Sequence, residues 1–214
     1  MKTEHYAVQE PAANAKRVLE REDILQRFDL AIPGVCVLAP RVLADARGFF
    51  METYSKKSMS ALGLAQEFVQ DNHSCSRKGT VRGLHYQLQH AQGKLCRVVV
   101  GEVLDVVVDI RTGSPAFGQW VGEVLSAENK KQIWIPPGCA HGFSVLSDSA
   151  EFLYKCTDFY HPEDEYGILP TDPALGIDWR VARPLFSEKD GKYPLLSEVE
   201  VTRLPKYRGN VEQA

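Results

Sequence analysis

Long apolar runs are missing from this 214-residue chain: the longest uncharged apolar stretch, Leu30 to Pro40, is broken by Pro33-Gly34 and is far too short to span a bilayer. Met1-Lys2-Thr3-Glu4-His5 carries no apolar core, so no secretory signal is expected there. Cysteine is sparse. Cys36, Cys75, Cys96, Cys139 and Cys156 form no CxxC, their number is odd and their spacing is scattered. That argues against a disulfide framework and for reduced thiols in a cytoplasmic protein. Neither sign of charge dominates: 25 Lys and Arg stand against 28 Asp and Glu, a net charge of −3. Bulk electrostatics therefore give no reason to expect nucleic acid or a membrane as partner. Neither GxxxxGK[ST] nor GxGxxG occurs, so those loops hold no nucleotide. The paired histidines of a metal-binding barrel strand are missing too. His85 is followed by Tyr86 and Gln87, and His90 lies five positions on, so no catalytic metal is expected.

Apolar residues (44%) and charged residues (25%) are near ordinary globular values, and the length suits one large all-β domain or two small ones. Short segments rich in Val, Ile, Phe, Tyr and Trp recur between Gly, Pro, Asn and Asp. They are Val35–Leu38, Arg47–Tyr54, Glu67–Asp71, Thr80–Gln87, Lys94–Val100, Val103–Ile110, Trp120–Leu125, Gln132–Ile135, Gly142–Leu146 and Ala150–Thr157, with a brief helix at Ser58–Gly63. No room is left for the helical crossovers of a parallel sheet. The expected class is all-β, a sandwich or barrel and most simply a double-sheet jelly roll, with short helices at the termini. Residues 1–28 read as a polar extension with a short helix over Ala15–Phe28, and 29–186 as the domain. The segment after Pro162 reads as irregular, and 187–214 as a tail with one short helix near Ser187.

Arg82-Gly83-Leu84-His85-Tyr86-Gln87 is the most informative stretch. On a strand, His85 and Gln87 share one face and Arg82, Leu84 and Tyr86 the other. Such a polar cluster is costly to bury unless paired or used on a ligand; it also fits an edge strand of solvated groups. His85 has the titration range of a general base, although a lone histidine is more often structural. A hairpin through 89–93 would bring Lys94 to the same face, where an ammonium suits a developing enolate oxygen; the plainer reading is a solvated strand-end lysine. His141 follows the Pro136-Pro137-Gly138 turn, and Tyr154 sits on an alternating strand, as a donor to a ligand or a paired core phenol. Arg47, Arg82, Gln70 and Asn72 have the chemistry of an anion and sugar pocket, and each alone is an ordinary surface residue.

Taken in order, Asp45–Phe50, Gln70–Ser74, Arg82–Gln87, Ala91–Leu95, Asp105–Arg111, Ser114–Gly118, Leu125–Asn129, Trp134–Phe143 and Glu151–Lys155 resemble the nucleotide-sugar 3,5-epimerases, the dTDP-4-dehydrorhamnose 3,5-epimerase family. The resemblance runs from about Ile32 to Asp190. It implies a cupin-type jelly roll, a homodimer with exchanged N-terminal strands, a nucleotide-sugar substrate and no cofactor. It also implies roles: His85 as base, Asp190 in the tail as its carboxylate partner, Tyr154 as proton donor and Lys94 beside the enolate oxygen. Arg47, Glu52, Gln70, Asn72 and Arg82 match substrate-binding positions, His141 a pocket histidine, and Tyr160 and Glu165 polar residues of the rim. The implied reaction inverts C3 and C5 of a 4-keto-6-deoxy sugar nucleotide through an enolate. Three other readings stay open: a single-centre epimerase, a metal-dependent cupin enzyme and a non-catalytic sugar-binding module.

Overall fold

The computed structural model describes residues 24–209. Thirteen strands make nearly all of its regular structure. They are β1 (Leu25–Asp29), β2 (Cys36–Pro40), β3 (Leu43–Asp45), β4 (Gly48–Phe50), β5 (Gln70–Arg77), β6 (Val81–Gln87), β7 (Lys94–Val100), β8 (Glu102–Asp109), β9 (Trp120–Ser126), β10 (Gln132–Ile135), β11 (Cys139–Val145), β12 (Ser149–Cys156) and β13 (Glu165–Gly167). One six-residue helix, α1 (Lys56–Ala61), begins at Ser55, whose hydroxyl accepts the Ser58 amide. Among the described residues, no helix is long and apolar enough to cross a membrane.

Two antiparallel sheets form the sandwich, in the orders β1-β2-β10-β7-β12-β5 and β13-β6-β11-β8-β9. Their facing surfaces bury one apolar core: Val98, Ile133 and Phe152 from the first sheet meet Val107, Leu125, Phe143 and Val145 from the second. Phe143 stacks on Phe152 with centroids 4.3 Å apart. Burying such a side chain stabilises the fold by roughly 1.5–3 kcal/mol.

The outer faces are covered as well. β8 reads Glu-Val-Leu-Asp-Val-Val-Val-Asp and is buried over seven of its eight positions. Val103 and Val107 point between the sheets, while Leu104, Val106 and Val108 point outward onto Leu175, Trp179, Leu196 and Leu204. The segment after Pro162 is therefore packed against the second sheet, with 3-10 turns at Asp190–Lys192, Leu196–Glu198 and Val201–Arg203. Met59 and Leu64, in and after α1, cover Cys36, Leu38, Leu95 and Trp134 on the first sheet.

Several elements differ from expectation. The helix expected over Ala15–Phe28 lies mostly outside the described residues, and where it enters them the chain is strand β1, paired to β2 along its length. Arg47–Tyr54 is not one strand. Gly48, at φ 130°, turns the chain into a β3–β4 hairpin that ends at Phe50. β5 runs on to Arg77, past the polar residues that hid it. All five cysteines are free.

Candidate active site

Strand periodicity builds the site. The even residues of β5 (Gln70, Asn72, Ser74), of β7 (Lys94, Cys96) and of β12 (Phe152, Tyr154) face the sheet interior, aligned by the pairs Tyr154 with Asn72 and Tyr154 with Cys96. Across the gap stand Arg82 and His85 of β6 and His141 of β11. All of these but Cys96 line a cavity of about 400 Å³ whose inner wall is Phe143 and Phe152. Tyr160 and Glu165 complete its rim.

His85 lies opposite His141 in the β6–β11 ladder, just before a register shift between His141 and Phe143. The two strands come very close there. A Cβ on Gly142 would stand 2.6 Å from the Arg82 carbonyl oxygen, so only glycine fits. His85 Nε2 is 2.7 Å from Asp190 Oδ1. Burial pushes the Asp190 carboxyl up, but hydrogen bonds from His85, Ser187 and the Gly83 amide outweigh it and hold it below the ordinary carboxylate range. An ionised Asp190 can only accept, so Nε2 carries the proton and Nδ1 the lone pair. Tyr193 packs edge-on to the imidazole at 5.8 Å, over Gly167, where a Cβ would meet its ring at 2.4 Å.

Tyr154 faces the cavity from the other sheet. Burial raises its phenol to about 12, so at neutral pH it is a proton donor. Arg82 Nε donates to Ser76 Oγ at 3.0 Å. Gln70 Nε2 donates to Asn72 Oδ1 at 3.1 Å, and Gln70 Oε1 accepts the Tyr160 amide at 2.9 Å. Glu165 accepts from Tyr160 Oη at 2.5 Å and Lys189 Nζ at 2.6 Å. Burial pushes Glu165 up, yet those two bonds hold it below its usual value, and the same carboxylate raises the Tyr160 phenol.

Two groups of side chains among the described residues have the spacing of cation ligands. One, Cys96, Asp105 and His141, is buried against the cavity floor. Its thiol is pushed well above its ordinary value by burial, and Asp105 Oδ2 already stands 2.9 Å from His141 Nε2. That contact places Asp105 to orient the His141 ring. The other, His90, Asp158 and His161, lies at the surface.

The structure thus brings together His85, Lys94, Tyr154, Gln70, Asn72, Arg82, His141, Tyr160 and Glu165, with Asp190 behind His85. Arg47 and Glu52 are not among the lining residues. The Arg47 side chain is 90% exposed and paired with Asp45, and Glu52 accepts from Ser58 Oγ at 2.7 Å. His73, Ser74, Gln92, Gly142, Phe143, Phe152 and Tyr193 join the site or its support without having been singled out in the sequence. The polar alternation of 70–77 was a usable signal for Ser74. Nothing local pointed to Tyr193.

A family model described as dTDP-4-dehydrorhamnose 3,5-epimerase matches residues 29–198. The chain is 61% identical over 163 residues to the dTDP-4-dehydrorhamnose 3,5-epimerase of Pseudomonas aeruginosa, covering 75% of this chain and 90% of that one. It is 60% identical over 161 residues to that of Shigella flexneri, covering 74% and 89%. A crystal structure of the dTDP-6-deoxy-D-glucose-3,5-epimerase of Legionella pneumophila Philadelphia 1 in complex with dTDP-4-keto-L-rhamnose superposes with a TM-score of 0.84 at 50% identity. That match covers 86% of this chain and all of the other. The chain belongs to the dTDP-4-dehydrorhamnose 3,5-epimerase family.

Proposed function

We propose that this chain is an isomerase that inverts C3 and C5 of dTDP-4-dehydro-6-deoxyglucose to give dTDP-4-dehydrorhamnose. The observation that carries the reading is the placement of His85 and Tyr154 on opposite sheets, across one cavity that Lys94 also lines. Inversion needs a base on one side of a carbon and an acid on the other, and a sugar ring between the sheets has both.

The 4-keto group acidifies the hydrogens on C3 and C5. His85 Nδ1 takes one of them, and the C–H electron pair moves into the C=C bond of an enolate. Asp190 holds the ring and stabilises the imidazolium. The Lys94 ammonium stabilises the charge gathering on O4, where comparable donors contribute about 3–4 kcal/mol. Tyr154 then delivers its phenolic proton to the opposite face. Solvent returns a proton to the tyrosinate and removes the one on His85, so no cofactor is consumed. Arg82 suits the diphosphate, and Gln70 and Asn72 suit sugar or base hydroxyl and carbonyl groups.

Arg47 and Glu52 enter through a homodimer. The β3–β4 hairpin exposes Leu43 (52%), Phe49 (57%) and Phe50 (71%) beside Arg47, an apolar arm suited to docking on a second copy. Light scattering on the purified chain tests that: a monomer at working concentration removes Arg47 from the site. The chemistry is tested by deuterium incorporation from D2O into the 4-keto substrate. Exchange at both carbons that disappears in His85→Ala is expected. Exchange at one carbon alone would make it a single-centre epimerase, and no exchange in a folded wild type would overturn the reading.

A further inference from the structure

We propose that His90, Asp158 and His161 form a divalent transition-metal site beside the mouth of the cavity, separate from the catalytic groups and taking a Zn²⁺-class cation. One donor atom from each residue lies within 4.8 Å of the others. The two imidazoles stack with centroids 3.7 Å apart and planes 13° apart, and His90 Nδ1 is 3.6 Å from Asp158 Oδ2. Two imidazoles and a carboxylate are the donor set of late first-row cations, and a bound cation brings such donors to about 2.0–2.2 Å. Glu163, with Oε1 3.2 Å from His161 Nδ1, adds a second carboxylate beside the cluster.

The three ligands come from two segments far apart in sequence, and both segments are fixed before any ion arrives. The amides of Gln89 and His90 donate to the Asp164 carboxylate at 2.8–3.1 Å. The Gln87 side chain donates to the carbonyls of His90 and Phe159 and accepts the His161 amide. With the backbone held, binding asks only the side chains to turn toward the cation. Solvent reaches it: the side chains of His90, Asp158 and His161 are 45%, 39% and 30% exposed, which leaves coordination positions for water. A cation here would tie the β6–β7 loop to the segment that follows β12. Gln92 and Tyr160 of those two segments both line the cavity mouth, and Gln92 Nε2 already donates to the Asp158 carbonyl at 2.9 Å.

The test is calorimetric titration of Zn²⁺ into metal-stripped full-length protein, with His90→Gln, His161→Gln and the double variant alongside. Saturable binding near one equivalent is expected, weakened at least tenfold in each single variant and lost in the double. The variants without metal should keep the wild-type melting temperature and epimerase rate, since neither histidine lines the cavity. Saturating Zn²⁺ should raise the melting temperature of the wild type and not of the double variant. Undiminished affinity in the double variant, or no saturable binding in the wild type, would overturn the proposal.

Discussion

Replacing Asp190 by Asn keeps the shape of the side chain and deletes its charge. Asp190 is 4% exposed, its Oδ1 is 2.7 Å from His85 Nε2, and it is not among the residues lining the cavity. In the proposed reaction it acts on the substrate only through the imidazole. A hydrogen bond to a charged partner contributes about 1.5–3 kcal/mol, and 1.36 kcal/mol is a factor of ten in rate, so kcat should fall roughly 10- to 150-fold. KM should change little. Proton NMR of the sugar nucleotide in D2O reads both numbers. The same variant carries a stability signature. The folded carboxyl titrates below its ordinary value, so its stabilisation is full above that ordinary value, about 3.9, and fades as pH falls through the folded value. The variant should melt below the wild type at pH 7, and the gap should close in acid below about pH 4. A folded Asp190→Asn enzyme with unchanged kcat, or one whose loss lies in KM, would refute the orienting role.

Lys94→Met removes the cation that the proposed reaction sets beside the enolate oxygen and should lower kcat by roughly 10²–10³, leaving the nucleotide diphosphate bound as in the wild type by calorimetry. Tyr154→Phe leaves the base in place but no acid on the opposite face. It should exchange substrate hydrogens with D2O while producing little inverted product, a separation visible in one NMR time course. Because the Tyr154 phenol is pushed up to about 12, no alkaline fall in activity below about pH 10 should come from it, and the pH profile of the wild type checks this. Phe152→Ala removes a ring that is 1% exposed and stacked on Phe143, so a loss of about 3–5 kcal/mol is expected in urea unfolding.

The apolar strands from β6 to β12 were legible because their residues announce themselves: β8 carries Val-Leu and Val-Val-Val between its acidic residues, β7 ends in Val-Val-Val, and β12 alternates. β5 was legible only at its start. Asn72, Ser74 and Ser76 face the interior and yet are polar, which erases the usual signal. β1 reads Leu-Gln-Arg-Phe-Asp, and only its pairing with β2 makes it a strand. His85, Lys94 and Tyr154 were found as chemical types at strand positions, and their meeting follows from register. Asp190 was not legible from local pattern, since its partner lies 105 residues away; family resemblance alone supplied it. His90 and His161 escaped for the same reason. A sequence scan for ligand spacing sees neighbours along the chain, and these rings meet only in space.

The packing of the C-terminal segment on the second sheet has a consequence for the order in which the enzyme is made. All thirteen strands leave the ribosome before Asp190 does. A nascent chain that has emerged only through β13 holds the cavity walls, His85 and Tyr154, but an imidazole with nothing to fix its tautomer. The cover formed by Leu196 and Leu204 follows still later. By the loss expected for Asp190→Asn, such a half-made molecule would hold the base and acid of the proposed reaction yet turn the sugar over roughly 10- to 150-fold more slowly.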